Sequence, residues 1–443
     1  MGSSISAPPV CRILGDCWSH SRKVDPASSN NGSSSGGSNS KANSSRRRAA
    51  TRRRKNLYKM SNPGSFLSTS NHVTRRMGPQ QSRAIDRQMR VEQEMSRKTI
   101  RLIILGIGHA GKSTVMKQLK LLFGVAPTLQ ERKFMTDIIV RQVVRDLQLL
   151  IRKTEEFSMQ ETPFADEALK DMIRDMDPFC RLTPEIWEAF RYIWSEISIQ
   201  ITWQNRSTFH VNDSLSYFMN NIDRLSHASY IPSQMDLVHA KVSTLGITQQ
   251  AFTYNHTDFK ITDVGGQRSE RRKWVHLFSD VNAILYIAAL NDFDRFLEED
   301  ARQNALAESM AVFHEIYDSP HLHNVTFFLI LNKIDLFMEK LPRVPVNSVD
   351  CFRDFKGPPG DARAALRYFM FRFMGSPGRR EAGPATDSPG ASGGGGGEHP
   401  CPRRMYSHVT CAIDSSAIQE VFVECQRMIL LKQMQDGGFL HAV

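Results

Sequence analysis

The sequence predicts an α/β protein in which a mostly parallel β-sheet is covered by helices on both faces and interrupted by an inserted all-α segment. Three features predict it. Short apolar runs, the signature of strands buried on both faces, occur at Ile100–Leu105 (IRLIIL), Phe259–Thr262, Ala283–Ala288, Thr326–Leu331 and Met405–Thr410. Stretches with helical spacing alternate with them, as in strands joined by crossover helices. Between residues 128 and 229 the character changes: Arg132–Lys153, Ala165–Met176, Glu185–Ile201 and Asp213–Leu225 carry helical periodicity and few strand signals.

Ahead of the first strand the chain has a different composition. Of its 443 residues 40% are hydrophobic, enough for two or three domains with a sizeable core, yet residues 1–81 read as a disordered, polybasic extension. A net charge of +11 gains its meaning from placement: Arg46, Arg47, Arg48, Arg52, Arg53, Arg54 and Lys55 form one block in a Ser/Gly/Asn-rich tract. Such a block is a solvated segment, a site for anionic lipid, or a nuclear-import or nucleic-acid patch. The first six residues, M-G-S-S-I-S, match an N-acylation pattern with Gly2 as acceptor and Ser6 at the required hydroxyl position. One acyl chain anchors only marginally, so Cys11, Cys17 or the basic block would supply a second signal, and an anionic membrane surface is expected as a partner in preference to nucleic acid. Ser82–Lys98 follows as a helix with an apolar seam through Ile85 and Met89, giving an N-terminal helix over 82–99.

The seven cysteines are scattered, with no CxxC spacing and no metal-like histidine partners, which suits a reducing compartment. No apolar run approaches the roughly 20 residues that span a bilayer. A second low-complexity stretch, 375–404, contains the run Gly393–Gly397 with Pro and Ser, and reads as a mobile surface loop.

Chemistry concentrates at the ends of the predicted strands. After Ile100–Leu105 comes Gly106-Ile-Gly108-His109-Ala-Gly111-Lys112-Ser113, which satisfies GxxxxGK[ST] and leads into a helix-like stretch beginning Lys112-Ser113-Thr114. Glycines let such a loop wrap closely enough for backbone N–H groups to face phosphate oxygens. The lysine reaches the outer phosphates, and the Ser113 hydroxyl ligates Mg²⁺. An ordinary strand-to-helix turn is the bland alternative.

A phosphate loop leaves the base open, and Asn332-Lys333-Ile-Asp335, at the end of Thr326–Leu331, addresses it. A carboxylate at 335 accepts from both the N1 and N2 groups of guanine, whereas adenine offers no such pair of donors. Between the two motifs lies Asp263-Val-Gly-Gly266-Gln267. There a carboxylate would hold Mg²⁺ through water, Gly266 would present its N–H to a γ-phosphate, and Gln267 would orient an attacking water.

Together these segments closely resemble heterotrimeric G-protein α subunits, from about Ser82 to Leu440 apart from the glycine-rich stretch, and most specifically over Asp263–Trp274 (DVGGQRSERRKW). The resemblance implies a P-loop Ras-like GTPase domain (100–127 and 230–443) with an inserted helical domain (128–229), binding GTP or GDP with Mg²⁺. It implies that Tyr230 to Ile247 is switch I, with Thr244 as the second Mg²⁺ hydroxyl, that Asp263–Trp274 is switch II and that Asn291–Ser309 is switch III. It further implies that Thr114, Asp213 and Ser214 face the nucleotide, that the Thr410-Cys411-Ala412 loop meets the guanine oxygen, and that Gln419–Leu440 is the helix engaged by receptors. The implied partners are a βγ dimer, a G-protein-coupled receptor, an effector and GTPase-activating regulators, at the cytoplasmic face of the plasma membrane.

Three departures from the family's pattern stand out. Lys241 stands where the family has the switch I arginine, and an ammonium cannot reproduce the two-pronged contact of a guanidinium. His109, followed by Ala110, stands where the family has a P-loop glutamate followed by serine. The tail after Gly437 is longer than usual and lacks a cysteine found in some classes. With Lys241 and Gln267 as the catalytic pair, slow GTP hydrolysis is expected. A degenerate relative that sequesters partners is the second reading, and an unrelated P-loop kinase or ATPase the third.

Overall fold

The computed structural model describes residues 99–157, 164–242, 244, 246–375 and 405–436. The expected extension, N-terminal helix and acylation sites Gly2, Cys11 and Cys17 lie outside the described residues, as do 376–404 and the tail from 437.

A six-stranded sheet in the order β2-β3-β1-β4-β5-β6 forms the centre. Its strands are β1 (Ile100–Leu105), β2 (Ile247–Tyr254), β3 (Thr257–Val264), β4 (Ala283–Ala289), β5 (Thr326–Asn332) and β6 (Met405–Val409). All pairs are parallel except β2–β3. The apolar runs mark the middle of this sheet because β4 and β5 are buried at every residue, with helices on both faces. β2 is an addition that its composition conceals. Its sequence ITQQAFTY is mostly exposed along an edge, so it lacks the continuous apolar signal of a buried strand.

Because β1 is flanked by β3 on one side and β4 on the other, the connections from its end diverge and leave a crevice beyond the carboxyl ends of the strands. The register places Ile104 beside Asp263, so β1 delivers the P-loop next to that carboxylate. Helix α1 (Lys112–Phe123) follows directly, and a cluster of Phe123, Phe252, Phe259 and Phe422 anchors its far end to the sheet and to the last helix.

The helical segment comprises α2 (Leu129–Phe157), α3 (Glu167–Asp175), α4 (Pro184–Ser195), α5 (Ile197–Gln204), α6 (Leu215–Asn220) and α7 (Ile222–Leu225). These helices share one core, in which Leu147, Ile151, Phe190, Ile193, Ile199 and Phe218 are fully buried. The stretch Glu185–Ile201, read as one helix, is two. At about 100° per residue, Phe190 and Ile199 would point in opposite directions on a straight helix. A break at Glu196 (φ −62°, ψ 133°) turns both into the core and brings Trp194 edge-on to Trp203. Asn221 divides Asp213–Leu225 in the same way.

The remaining helices are α8 (Gln234–His239), α9 (Arg268–Arg271), α10 (Ala305–Tyr317), α11 (Ile334–Lys340), α12 (Ala362–Met374) and α13 (Ser415–Asp436). No helix among the described residues is long and apolar enough to cross a membrane.

Candidate nucleotide-binding site

The loop from β1 to α1 is held in a shape that depends on glycine. Gly106 has φ 143°, and a Cβ there would collide with the Ile287 carbonyl oxygen; Gly111 has φ 99°, and its Cβ would collide with the Asn332 side chain. His109 adopts the left-handed region as a non-glycine residue, at φ 62°. Lys112 is buried and donates to the Ile107 carbonyl at 2.8 Å. Burial lowers its pKa to about 8, partly offset by the Asp263 carboxylate.

Three oxygens from three elements converge beside it. Ser113 Oγ lies 2.6 Å from Thr244 Oγ1 and donates to Asp263 Oδ2 at 2.9 Å, while Thr244 Oγ1 donates to the same oxygen at 3.2 Å. Burial raises the Asp263 carboxyl, and Lys112 with the two hydroxyls opposes that rise. Asp263 Oδ1 is buried with no hydrogen-bond partner. A hard, oxygen-seeking cation fits this donor set, two hydroxyls with a carboxylate behind them.

On the other side of the crevice, β5 ends in Asn332, which is buried. Its Nδ2 donates to the Ala110 carbonyl at 2.9 Å, and its Oδ1 accepts from the Ala412 N–H at 2.9 Å. One amide thus ties the P-loop to the loop after β6. Lys333 turns the chain with φ 59°, and α11 then presents an exposed Asp335. Burial together with the neighbouring Asp335 pushes the Cys411 thiol up to about 12.

The helical segment closes the crevice through Asp213, whose carboxylate accepts from Lys333 Nζ at 2.9 Å and Arg295 Nη2 at 2.8 Å. Burial alone would raise this carboxyl, but the two cations overcome it and hold it well below the ordinary range. Ser214 Oγ sits 3.1 Å from His239 Nδ1.

At Gly266 a Cβ would collide with Lys112 Nζ. Gln267 precedes α9, whose Arg271 bridges to Glu308 at 2.7 Å. Trp274 is buried and donates to the Gly265 carbonyl at 3.0 Å.

One cavity of about 480 Å³ is lined by Gly108, His109, Gly111, Lys112, Ser113, Thr114, Asp213, Ser214, Lys241, Thr244, Gly266, Gln267, Asn332, Lys333, Asp335, Cys411 and Ala412. Of the site residues expected from sequence, Gly106 and Asp263 stand behind this lining, the former against Ile287 and the latter through Ser113 and Thr244. The cavity also takes in His210, Arg295 and Glu298, which no motif spacing marks. His109 meets Glu298, with Nε2 at 2.7 Å from Oε2, while the Lys241 N–H donates to Gln142 Oε1 at 2.7 Å.

Fold and cavity define the class: a P-loop nucleotide-binding protein with a helical segment closing over its site. Residues 79–429 match the family described as G-protein alpha subunit. Relatives include the guanine nucleotide-binding protein alpha-7 subunit of Caenorhabditis briggsae, 31% identical over 369 residues that cover 82% of this chain and 96% of the relative. The alpha-4 subunit of Dictyostelium discoideum is 33% identical over 80% of this chain and 96% of its own, and the human subunit alpha-15 is 30% identical over 80% and 93%. The chain belongs to the G-protein α-subunit family. It is a guanine-nucleotide-binding signal transducer of a family of GTPases whose members typically use Mg²⁺ and work with βγ partners, receptors and effectors.

Proposed function

We propose that this protein cycles between GDP- and GTP-bound states, hydrolyses GTP slowly, and couples membrane receptors to effectors with a βγ partner. The supporting observation is that Lys112 and Asp335 line one cavity, so a single guanosine triphosphate reaches both its phosphate and its base contacts. Lys112 holds the outer phosphates, Asp335 accepts from the guanine edge, and Cys411–Ala412 lies beside the base. Ser113 and Thr244 would ligate Mg²⁺, with Asp263 behind them; bound there, the ion neutralises charge on the phosphate oxygens. Gln267 orients the water that attacks the γ-phosphorus as the bond to GDP breaks.

Lys241 makes the step slow. An arginine at such a position is generally worth about 10³ to 10⁵ in rate, through a planar contact that an ammonium does not make. The location we propose is the cytoplasmic face of the plasma membrane, attached through acylation at Gly2 and at Cys11 or Cys17 together with the basic block. A second reading, a degenerate relative that sequesters partners, is favoured by His109 and Lys241 alone.

Tryptophan fluorescence tests the proposal, because Trp274 is bonded to the carbonyl of Gly265, next to Gly266. Adding GTP with Mg²⁺ to purified protein should give a rise followed by slow decay. A flat trace from protein that contains no nucleotide as isolated favours the second reading.

A further inference from the structure

We propose that Glu298 latches the phosphate end of the nucleotide cavity by tying His109 of the P-loop to the loop that follows β4, and so slows nucleotide release. This rests on the nucleotide-binding reading above and assigns a positioning role to a residue of the same cavity.

The contact joins residues 189 positions apart, and both line the cavity. Its charges come from several directions. His210, ahead of α6, has its ring stacked on that of His109 at 6.2 Å. Lys241, on the approach to β2, adds positive charge near the same carboxylate, and Arg295 and Asp292 act on His210 from the side of the β4 loop. The His109 hydrogen bond, with help from Lys241, lowers Glu298 to about 2, so an ionised acceptor faces the imidazole across the neutral range. A neutral imidazole with its proton on Nε2 still donates to that oxygen, so the link does not depend on protonation.

A second tie at the base end provides the contrast. There Asp213 is held by Arg295 and Lys333, with side-chain exposures of 15%, 8% and 18%. The His109 and Glu298 side chains are 32% and 48% exposed, so water competes for the phosphate-end tie and it opens more readily. The latch also restrains His109 in a left-handed conformation that costs a side-chain-bearing residue energy. Loss of the partner therefore frees the P-loop at the residue most inclined to relax.

Release of a fluorescent GDP analogue from the purified full chain tests this in a double-mutant cycle. Glu298→Ala and His109→Ala should each speed release about fivefold, in line with a partly exposed hydrogen bond to a carboxylate, and together no more than either alone. The exchange His109→Glu with Glu298→His should release more slowly than His109→Glu, which sets two carboxylates face to face. Additive single effects, or an unchanged rate in Glu298→Ala, would overturn the latch while leaving nucleotide binding intact. If the unmodified chain does not bind the analogue, both the latch and the functional reading fall.

Discussion

The Asn332 side chain donates to the Ala110 carbonyl at 2.9 Å across 222 residues of sequence, and its oxygen receives the Ala412 N–H at the same distance. Asn332→Ala would strand two buried backbone groups at the bottom of the cavity. We predict a loss of about 2 to 4 kcal/mol in denaturant unfolding, together with faster nucleotide release. A loss below about 0.5 kcal/mol would mean that neither backbone group depends on the amide.

Lys241 lines the cavity, and the proposed reading sets it where the family's pattern has arginine. Lys241→Arg should therefore raise the single-turnover rate of GTP hydrolysis by at least about tenfold while leaving GTP affinity within about threefold. No gain, or a wild-type rate already typical of the family, would remove Lys241 as the cause of slow turnover.

Asp146, on α2, has a buried oxygen without a partner. Burial raises its pKa to about 7, against the opposing pull of Lys241 and Asn212. An acid whose folded pKa lies above its unfolded value of about 3.9 binds more protons folded than unfolded between the two, so stability falls as pH rises from about 4 to 7. Asp146→Asn should remove that slope and leave the protein about 2 to 4 kcal/mol more stable than wild type at pH 8. Parallel stability–pH curves for the two proteins would refute the assignment.

Asp236 behaves in the opposite sense. Its side chain is fully buried, yet Arg224 Nη2 at 2.7 Å, Tyr217 at 2.8 Å, Tyr230 at 3.0 Å and the Ser233 N–H at 2.7 Å all donate to it. Burial pushes the carboxyl up, but these donors prevail and hold it well below the usual range. Its stabilisation is present above the unfolded pKa of about 3.9 and disappears as pH falls through the lower folded value. Asp236→Asn should cost about 3 kcal/mol at pH 7 in urea unfolding, with the difference from wild type shrinking below about pH 4. A constant difference from pH 7 to pH 3 would contradict this.

Much of the fold was legible because burial on both faces imposes a one-dimensional pattern. β1, β4 and β5 are apolar at nearly every position, and the run of residues alone locates them. β2 escaped notice because an edge strand needs no such run, and the helix break at Glu196 escaped because it answers to a core assembled from other helices. The motif residues that line the cavity were also legible, since each motif packs its polar groups into a few consecutive residues at a strand end. Asp213 was expected at the nucleotide, but nothing in its neighbourhood announced that Arg295 and Lys333 would hold its carboxylate.

Sequence by itself determined which chemical groups this protein possesses and in what order: a GxxxxGKS loop at Gly106–Ser113, a carboxylate and glutamine at 263 and 267, and a further carboxylate at 335. Each of these motifs occupies a few consecutive residues at a strand end, so neighbouring residues suffice to reveal it. Tertiary structure alone decided which polar groups meet, pairing His109 with Glu298, Asp213 with Arg295 and Asp236 with Arg224. Electrostatic attraction depends on separation in space and on exclusion of water, and neither quantity exists until the chain has folded.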